Sequence, residues 1–187
     1  ELAALPAFAV VVGERQHRWL AALAGVTDLS LTGLAEEGYV LQRVRLKGRP
    51  VLVVAGGGLL GAAYGLFNLV ERLRLTPSAL FNQVSVRAEP QMTFRLISSP
   101  TGPAYPSPDQ ALRWGYNAVS IVSWPGLVLY DRFEPRIHDP DVYTKERAWV
   151  EENRERAREQ IRLAKQLHLK VVSSGDVFSF PQQVLQL

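Results

Sequence analysis

The period of the apolar positions changes along this chain, and the change divides it in two. Residues 5–13 (LPAFAVVVG) form a short Val-rich run closed by glycine, the pattern of a buried strand. Residues 14–24 follow with Trp19, Leu20 and Leu23 on one side, a short helix that Gly25 can terminate. Residues 38–46 (GYVLQRVRL) alternate. Tyr39, Leu41, Arg43 and Arg45 share one face, and Val40, Gln42, Val44 and Leu46 the other, which suits an antiparallel strand with one buried face. Residues 47–50 make a hairpin turn into a continuous apolar strand over 51–55. A glycine turn at 56–58 then opens an apolar helix over 60–74, and 82–88 is another alternating strand. The first ninety residues predict a small α+β layer, with helices on one face of a short sheet.

Glu89-Pro90 marks the boundary, because proline pushes the residue before it into extended backbone and cannot join a central ladder. Beyond it, residues 92–98 (MTFRLIS) read as a strand and 99–106 as a proline-rich loop. Ser107-Pro108-Asp109-Gln110 is a strong helix start: a Ser N-cap, Pro at N1, an acid at N2 and Gln at N3 to close a capping box. That helix runs to Trp114 and ends at Gly115; residues 117–122 (NAVSIV) are a buried strand. A long loop over 123–143 contains Pro125, Gly126, Pro135 and Pro140, and loops of that length tend to be functional. Thr144 caps the next helix, which continues to His168 with Trp149, Val150, Ala157, Ile161, Ala164 and Leu167 on its apolar face and Glu152 and Arg156 as an i,i+4 pair on the wet side. Residues 169–174 form the last strand, and 175–181 the loop after it. The second half thus alternates strand and helix like the opening of a parallel α/β array. A closed eight-fold barrel takes about 250 residues, so three strands do not close one.

Composition removes several function classes. With 47% hydrophobic and 21% charged residues the chain is ordinary globular material. No apolar run reaches the roughly 18 residues of a membrane span; the longest, over 59–70, is interrupted by Gly61, Gly65 and Asn68. Net charge is +3, and the signs alternate: nine basic against seven acidic residues over 1–90, twelve against eleven over 91–187. There is no basic stripe of the kind that nucleic acid requires. The absence of cysteine removes disulfides, thiolate nucleophiles and thiolate metal sites. His17, His138 and His168 lie far apart without metal-ligand spacing, so neither a metal nor a cofactor is expected. The opening at Glu1, with no methionine and no charged-then-apolar leader, is what a processed or excised chain would show.

Gly56-x-Gly58-x-x-Gly61 after a strand and before a helix matches a dinucleotide fingerprint. The acidic residue that should follow about twenty positions on is displaced: Glu89 lies about thirty beyond, and Glu71 is inside the helix. A nucleotide-binding module remains an alternative; the expectation is that the glycines serve a tight turn and close helix–sheet packing.

Residues 36–41 (EEGYVL), 51–55, 56–58 and 61–72 (GAAYGLFNLVER) together resemble the N-terminal α/β domain that precedes the barrel in the β-N-acetylhexosaminidase and α-glucuronidase group of glycoside hydrolases. The likeness is close over 34–75 and loose over 5–33, and it rests on the joint spacing of strand, turn, Tyr64-Gly65 and Glu71-Arg72. Pro90 followed by Phe94-Arg95 resembles the opening of that barrel, residues 114–119 (WGYNAV) its second strand, and 164–172 its third helix and strand. The resemblance implies an α+β accessory domain over 1–89 and the first three β/α units of an incomplete (β/α)8 TIM barrel over 90–187. It implies a carbohydrate substrate, a secreted or periplasmic setting, and Arg95 at the barrel mouth donating to sugar hydroxyls, for which a rigid five-donor fork is suited. Asp176 falls near an acidic pair of the family, although the fuller acidic and histidine pattern is missing here, and capping is its other reading. Trp124 and Tyr130 offer aromatic faces in the long loop, to stack on sugars or to anchor that loop. The catalytic carboxylates of such enzymes follow the fourth strand or later, so none is assigned in this chain. The remainder of its own barrel, or another chain, is the partner expected to cover the open sheet edges. A non-catalytic carbohydrate-binding or scaffolding protein is the main alternative.

Overall fold

The computed structural model describes residues 9–75, 84–97, 107–123 and 140–174. The chain divides into two compact units, Glu1–Thr93 and Phe94–Leu187.

The first unit contains β1 (Ala9–Glu14), α1 (Arg18–Ala24), β2 (Tyr39–Leu46), β3 (Arg49–Gly56), α2 (Leu59–Leu75) and β4 (Ser85–Ala88). Its sheet has the order β1-β3-β2-β4, with β1 parallel to β3 and β2 antiparallel to both its neighbours. The β2–β3 hairpin turns on two residues, Lys47 (φ 50°) and Gly48 (φ 79°), between the paired Leu46 and Arg49. Positive φ at both central residues matches the strand twist, which explains why a Lys-Gly pair suffices.

The helices lie on opposite faces of this sheet, which corrects the expectation that they share one. Side chains alternate along a strand, and the alternation in β3 separates two cores. Val51, Val53 and Ala55 pack with Leu20 and Leu23 of α1 and with Val40, Val44 and Leu46 of β2. Leu52 and Val54 pack with Leu69 of α2 and with Leu41 of β2. Strand β2 therefore buries residues of both parities, where its alternation alone predicts one buried face. The apolar run in β3 is explained by the same fact, since a strand covered on both sides has no polar face. Helix α1 starts at Arg18 rather than Glu14, with His17 as N-cap.

The second unit contains β5 (Leu96–Ile97), α3 (Pro108–Arg113), β6 (Ala118–Ser123), α4 (Pro140–Gln166) and β7 (Lys170–Ser174). The three strands are parallel in the order β5-β6-β7. At the start of α3 the Ser107 N–H donates to Gln110 Oε1 at 3.2 Å, the backbone half of the capping box, with Pro108 at N1. At its end Gly115 (φ 81°) takes the left-handed position, with Tyr116 N donating to the Ala111 carbonyl and Gly115 N to that of Leu112. Helix α4 closes in the same way, but with His168 (φ 57°) at the position glycine usually fills.

Two expectations for α4 are corrected. It begins at Pro140, so Thr144 lies within the helix and not at its N-cap position. Trp149 is 51% exposed, while Val150, Ala157 and Ala164 are buried. The buried residues recur at spacings of seven, close to two helical turns, and a neighbour of Val150 is rotated about 100° from that line. On the wet side Arg156 meets Glu152 at 2.6 Å and Arg154 meets Glu151 at 3.0 Å. Exposed pairs of this kind contribute a few tenths of a kcal/mol each.

Candidate functional site

The glycine turn between β3 and α2 is the most crowded backbone in the first unit. A Cβ added at Gly57 would overlap the carbonyl of Ala35, and one at Gly61 the carbonyl of Gly38. At Gly58 it would lie 2.9 Å from Glu36 Cγ. The segment 35–38 therefore lies directly against the turn, and the Gly57 N–H donates to the Gly38 carbonyl at 2.9 Å. Gly56 accepts from Arg15 N at 2.7 Å, and Ala62 N returns to the Gly58 carbonyl at 3.0 Å. Carbonyl oxygens and the Glu36 side chain are what this turn faces, and such groups repel a phosphate rather than hold one. Helix α2 has no acid in its first turn. The carboxylate of Glu36, brought from a different segment, is the negative group near its amino end, where the helix dipole favours it.

Tyr39 of β2 and Gly65 and Arg72 of α2 lie together on one side of the sheet. A Cβ at Gly65 would lie 2.7 Å from Val54 Cγ1 and 3.1 Å from Tyr39 Cβ, so the Tyr39 ring rests where the helix has no side chain. One helical turn or two further on, Arg72 is held by Asn68, its Nε donating to Oδ1 at 2.8 Å. Burial raises the Tyr39 phenol above its ordinary value, and the nearby charge of Arg72 opposes that shift. Tyr39, Gly65 and Arg72 thus form a packing constellation in which α2 docks on β2 and β3. It contains no nucleophile or carboxylate pair.

In the second unit Arg95 immediately precedes β5 and Asn117 immediately precedes β6, next to the first paired residues Leu96 and Ala118. Its Nε donates to the Gly115 carbonyl at 2.7 Å, and its backbone N–H donates to Asn117 Oδ1 at 2.8 Å. Its carbonyl accepts from Asn117 N at 3.1 Å and from Ala118 N at 3.2 Å. Asn117 is fully buried, and its own carbonyl accepts from Lys170 N at 2.9 Å, so one side chain and its backbone join the starts of all three strands. Arg95 therefore lies at the N-terminal edge of the sheet. Sites of β/α barrels gather at the opposite, C-terminal edge, so the bonds of Arg95 brace the sheet where a mouth position was expected. Asn117 is the residue whose weight the sequence understated. A single polar residue at the head of an apolar strand is its one signal.

Trp124, Tyr130 and Asp176 lie outside the described residues. Trp124 follows the last residue of β6 directly, and Asp176 follows β7 by two. Among the described residues no group of three or more His, Asp or Glu is placed to hold a metal ion. Also among them, no helix is long and apolar enough to cross a membrane. The chain matches no protein-family model and no curated protein.

Proposed function

We propose that this chain is the N-terminal portion of a glycoside hydrolase: an accessory domain over 1–89, followed by the first three β/α units of a (β/α)8 barrel over 90–187. The observation that carries this is a succession within one chain. An E-G-Y strand and a G-x-x-Y-G…E-R helix pack on each other through Tyr39, Gly65 and Arg72, and a parallel β/α/β/α/β array follows. In this role Trp124 and Asp176 contribute to the sugar-binding wall, because the first follows β6 directly and the second follows β7 by two residues, and barrel sites are built from the segments after strand ends. Arg95 supports that wall from beneath by holding β5 to β6. The two carboxylates that cleave a glycosidic bond belong to later barrel strands.

The test is turnover of a panel of chromogenic glycosides by the 187-residue chain and by the product of its whole gene. The whole product should hydrolyse at least one glycoside, with Trp124→Ala and Asp176→Asn raising KM, and the 187-residue chain should hydrolyse none. Turnover by the 187-residue chain, or none by the whole product on any pyranoside, would overturn the assignment.

A further inference from the structure

Strand β1 and strand β3 are parallel neighbours, yet the helices that follow them leave in opposite directions. Helix α1 covers the face formed by Val51 and Val53, and α2 the face formed by Leu52 and Val54. Such a reversal opens a crevice outside the carboxyl ends of the two strands, the place where open α/β sheets bind ligands. A cleft of about 600 Å³ lies there, between the end of β1 and the first two turns of α2. That volume is in the range of small-molecule sites.

The cleft has two kinds of wall. Leu59, Ala63 and Leu66 of α2 form an aliphatic side, and Glu14, Gln16 and His17 form a polar rim where β1 ends. The β1 face below is only half covered by α2: Val10 is 47% and Val12 45% exposed. Glu14 is the one charged residue among the described lining, and none of the described lining residues is a lysine or arginine that would hold a phosphate or carboxylate ligand. The glycine turn beside it is closed to anions by the Ala35 and Gly38 carbonyls and by Glu36. His17 is oriented by its own helix, since Nδ1 accepts the Trp19 N–H at 3.4 Å. In the neutral ring the proton is then on Nε2, which donates. The rim therefore presents an acceptor (Glu14), a donor (His17) and an amide that does both (Gln16). A hydroxyl is the group that can donate to the first and accept from the second.

We infer that this cleft binds a neutral hydroxylated ring, a pyranose of sugar size, with its C–H face on Leu59, Ala63 and Leu66 and adjacent hydroxyls on Glu14 and His17. The site is contained in the first unit and does not rest on the barrel assignment. It would give the protein a hold on saccharide independent of any site on β6 and β7.

The experiment is a titration of the full 187-residue chain, followed by amide chemical shifts, with glucose, xylose and N-acetylglucosamine, and with glucuronate and trimethylammonium as charged controls. Neutral sugars should move the amides of Gly13, Glu14, His17 and Ala63. Glu14→Ala should weaken binding about tenfold or more, the usual loss of a hydrogen bond to a charged group. Ala63→Leu is a second variant that fills the cleft from a partly exposed helix position and should abolish binding while the remaining spectrum is unchanged. The inference is overturned if no neutral sugar moves these amides, if trimethylammonium or glucuronate binds there instead, or if the signals change only with protein concentration, which would assign the cleft to self-association. Failure here would leave glycoside turnover by the whole gene product untouched, and absence of that turnover would leave this cleft untouched.

Discussion

A methyl group added at Gly57 has nowhere to go, because the Ala35 carbonyl already occupies its place. At Gly48 nothing lies within 4 Å, and only the positive φ of 79° opposes a side chain. The two glycines separate steric overlap from backbone preference. Gly57→Ala should cost at least about 3 kcal/mol or prevent folding, since backbone must move. Gly48→Ala should cost about 1 kcal/mol, the left-handed penalty of an L-residue. Urea midpoints at unchanged slope are the measurement, and similar losses at the two positions would contradict the packing described for the turn. Tyr39 makes a prediction of a different kind. Its burial, larger in effect than the Arg72 charge, raises the phenol, so the folded chain keeps that proton when the unfolded chain has released it. The stabilisation from this group is complete below about pH 10, the unfolded value, and is lost as pH rises beyond it. Tyr39→Phe should therefore flatten the fall in Tm above about pH 10. An unchanged slope would show that the ring is not held in a buried setting.

At the scale of elements, each helix has a different relation to its sheet. Helix α2 approaches through Gly61 and Gly65, where missing side chains let backbone and the Tyr39 ring come close. Helix α4 approaches through Val150, Ala157 and Ala164, with its charged face in water. The start of the parallel sheet depends on Asn117, which pairs the backbone of Arg95 with its side-chain oxygen and meets Lys170 through its carbonyl. Asn117→Ala would leave the half-buried Arg95 N–H without that acceptor and empty a fully buried position, and should cost about 2–3 kcal/mol. Arg95→Met should cost less, about 1 kcal/mol, because it removes a hydrogen bond at a half-buried position. The ordering of the two in chemical denaturation is the test, and a larger loss at Arg95 would favour a load on the guanidinium itself over the brace described at Asn117.

For the molecule as a whole, the parallel arrangement of β5, β6 and β7 has a consequence in solution. Parallel strands are found covered on both faces and closed at their edges, while Phe94 and Val171 are exposed in this unit and β5 and β7 are the outer strands among the described residues. The 187-residue chain should self-associate through the outer strands of this second unit, with a light-scattering mass that rises with concentration, while the amides of the first unit keep their shifts. A monodisperse monomer of the 187-residue chain would count against open edges at β5 and β7.

Much of this architecture was legible locally. The capping box at Ser107, the Gly115 stop, a hairpin turn within 47–50 and the apolar run of β3 are all decided within a few residues, because turn chemistry and capping act at short range; the structure narrows that turn to Lys47-Gly48, with Arg49 and Pro50 already paired in β3. The sequence alone also determined that thiolate chemistry is absent, that charge is evenly mixed, and that residues 56–61 stand between a strand and a helix. Other features depended on contacts between distant segments, and those the tertiary structure decided. Both helices carry an apolar stripe, and a stripe shows that a face is covered without showing which side of the sheet covers it; the two parities of β3 settled that α1 and α2 are opposed. Gly56-x-Gly58-x-x-Gly61 is compatible with a phosphate cradle or with close packing, and the difference lies in Ala35, Glu36 and Gly38, some twenty residues away in the chain and in contact with the turn in space. Arg95 has the chemistry of a sugar ligand wherever it stands. Its place at the N-terminal edge follows from register with Asn117, and register is a property of paired strands that no single segment contains.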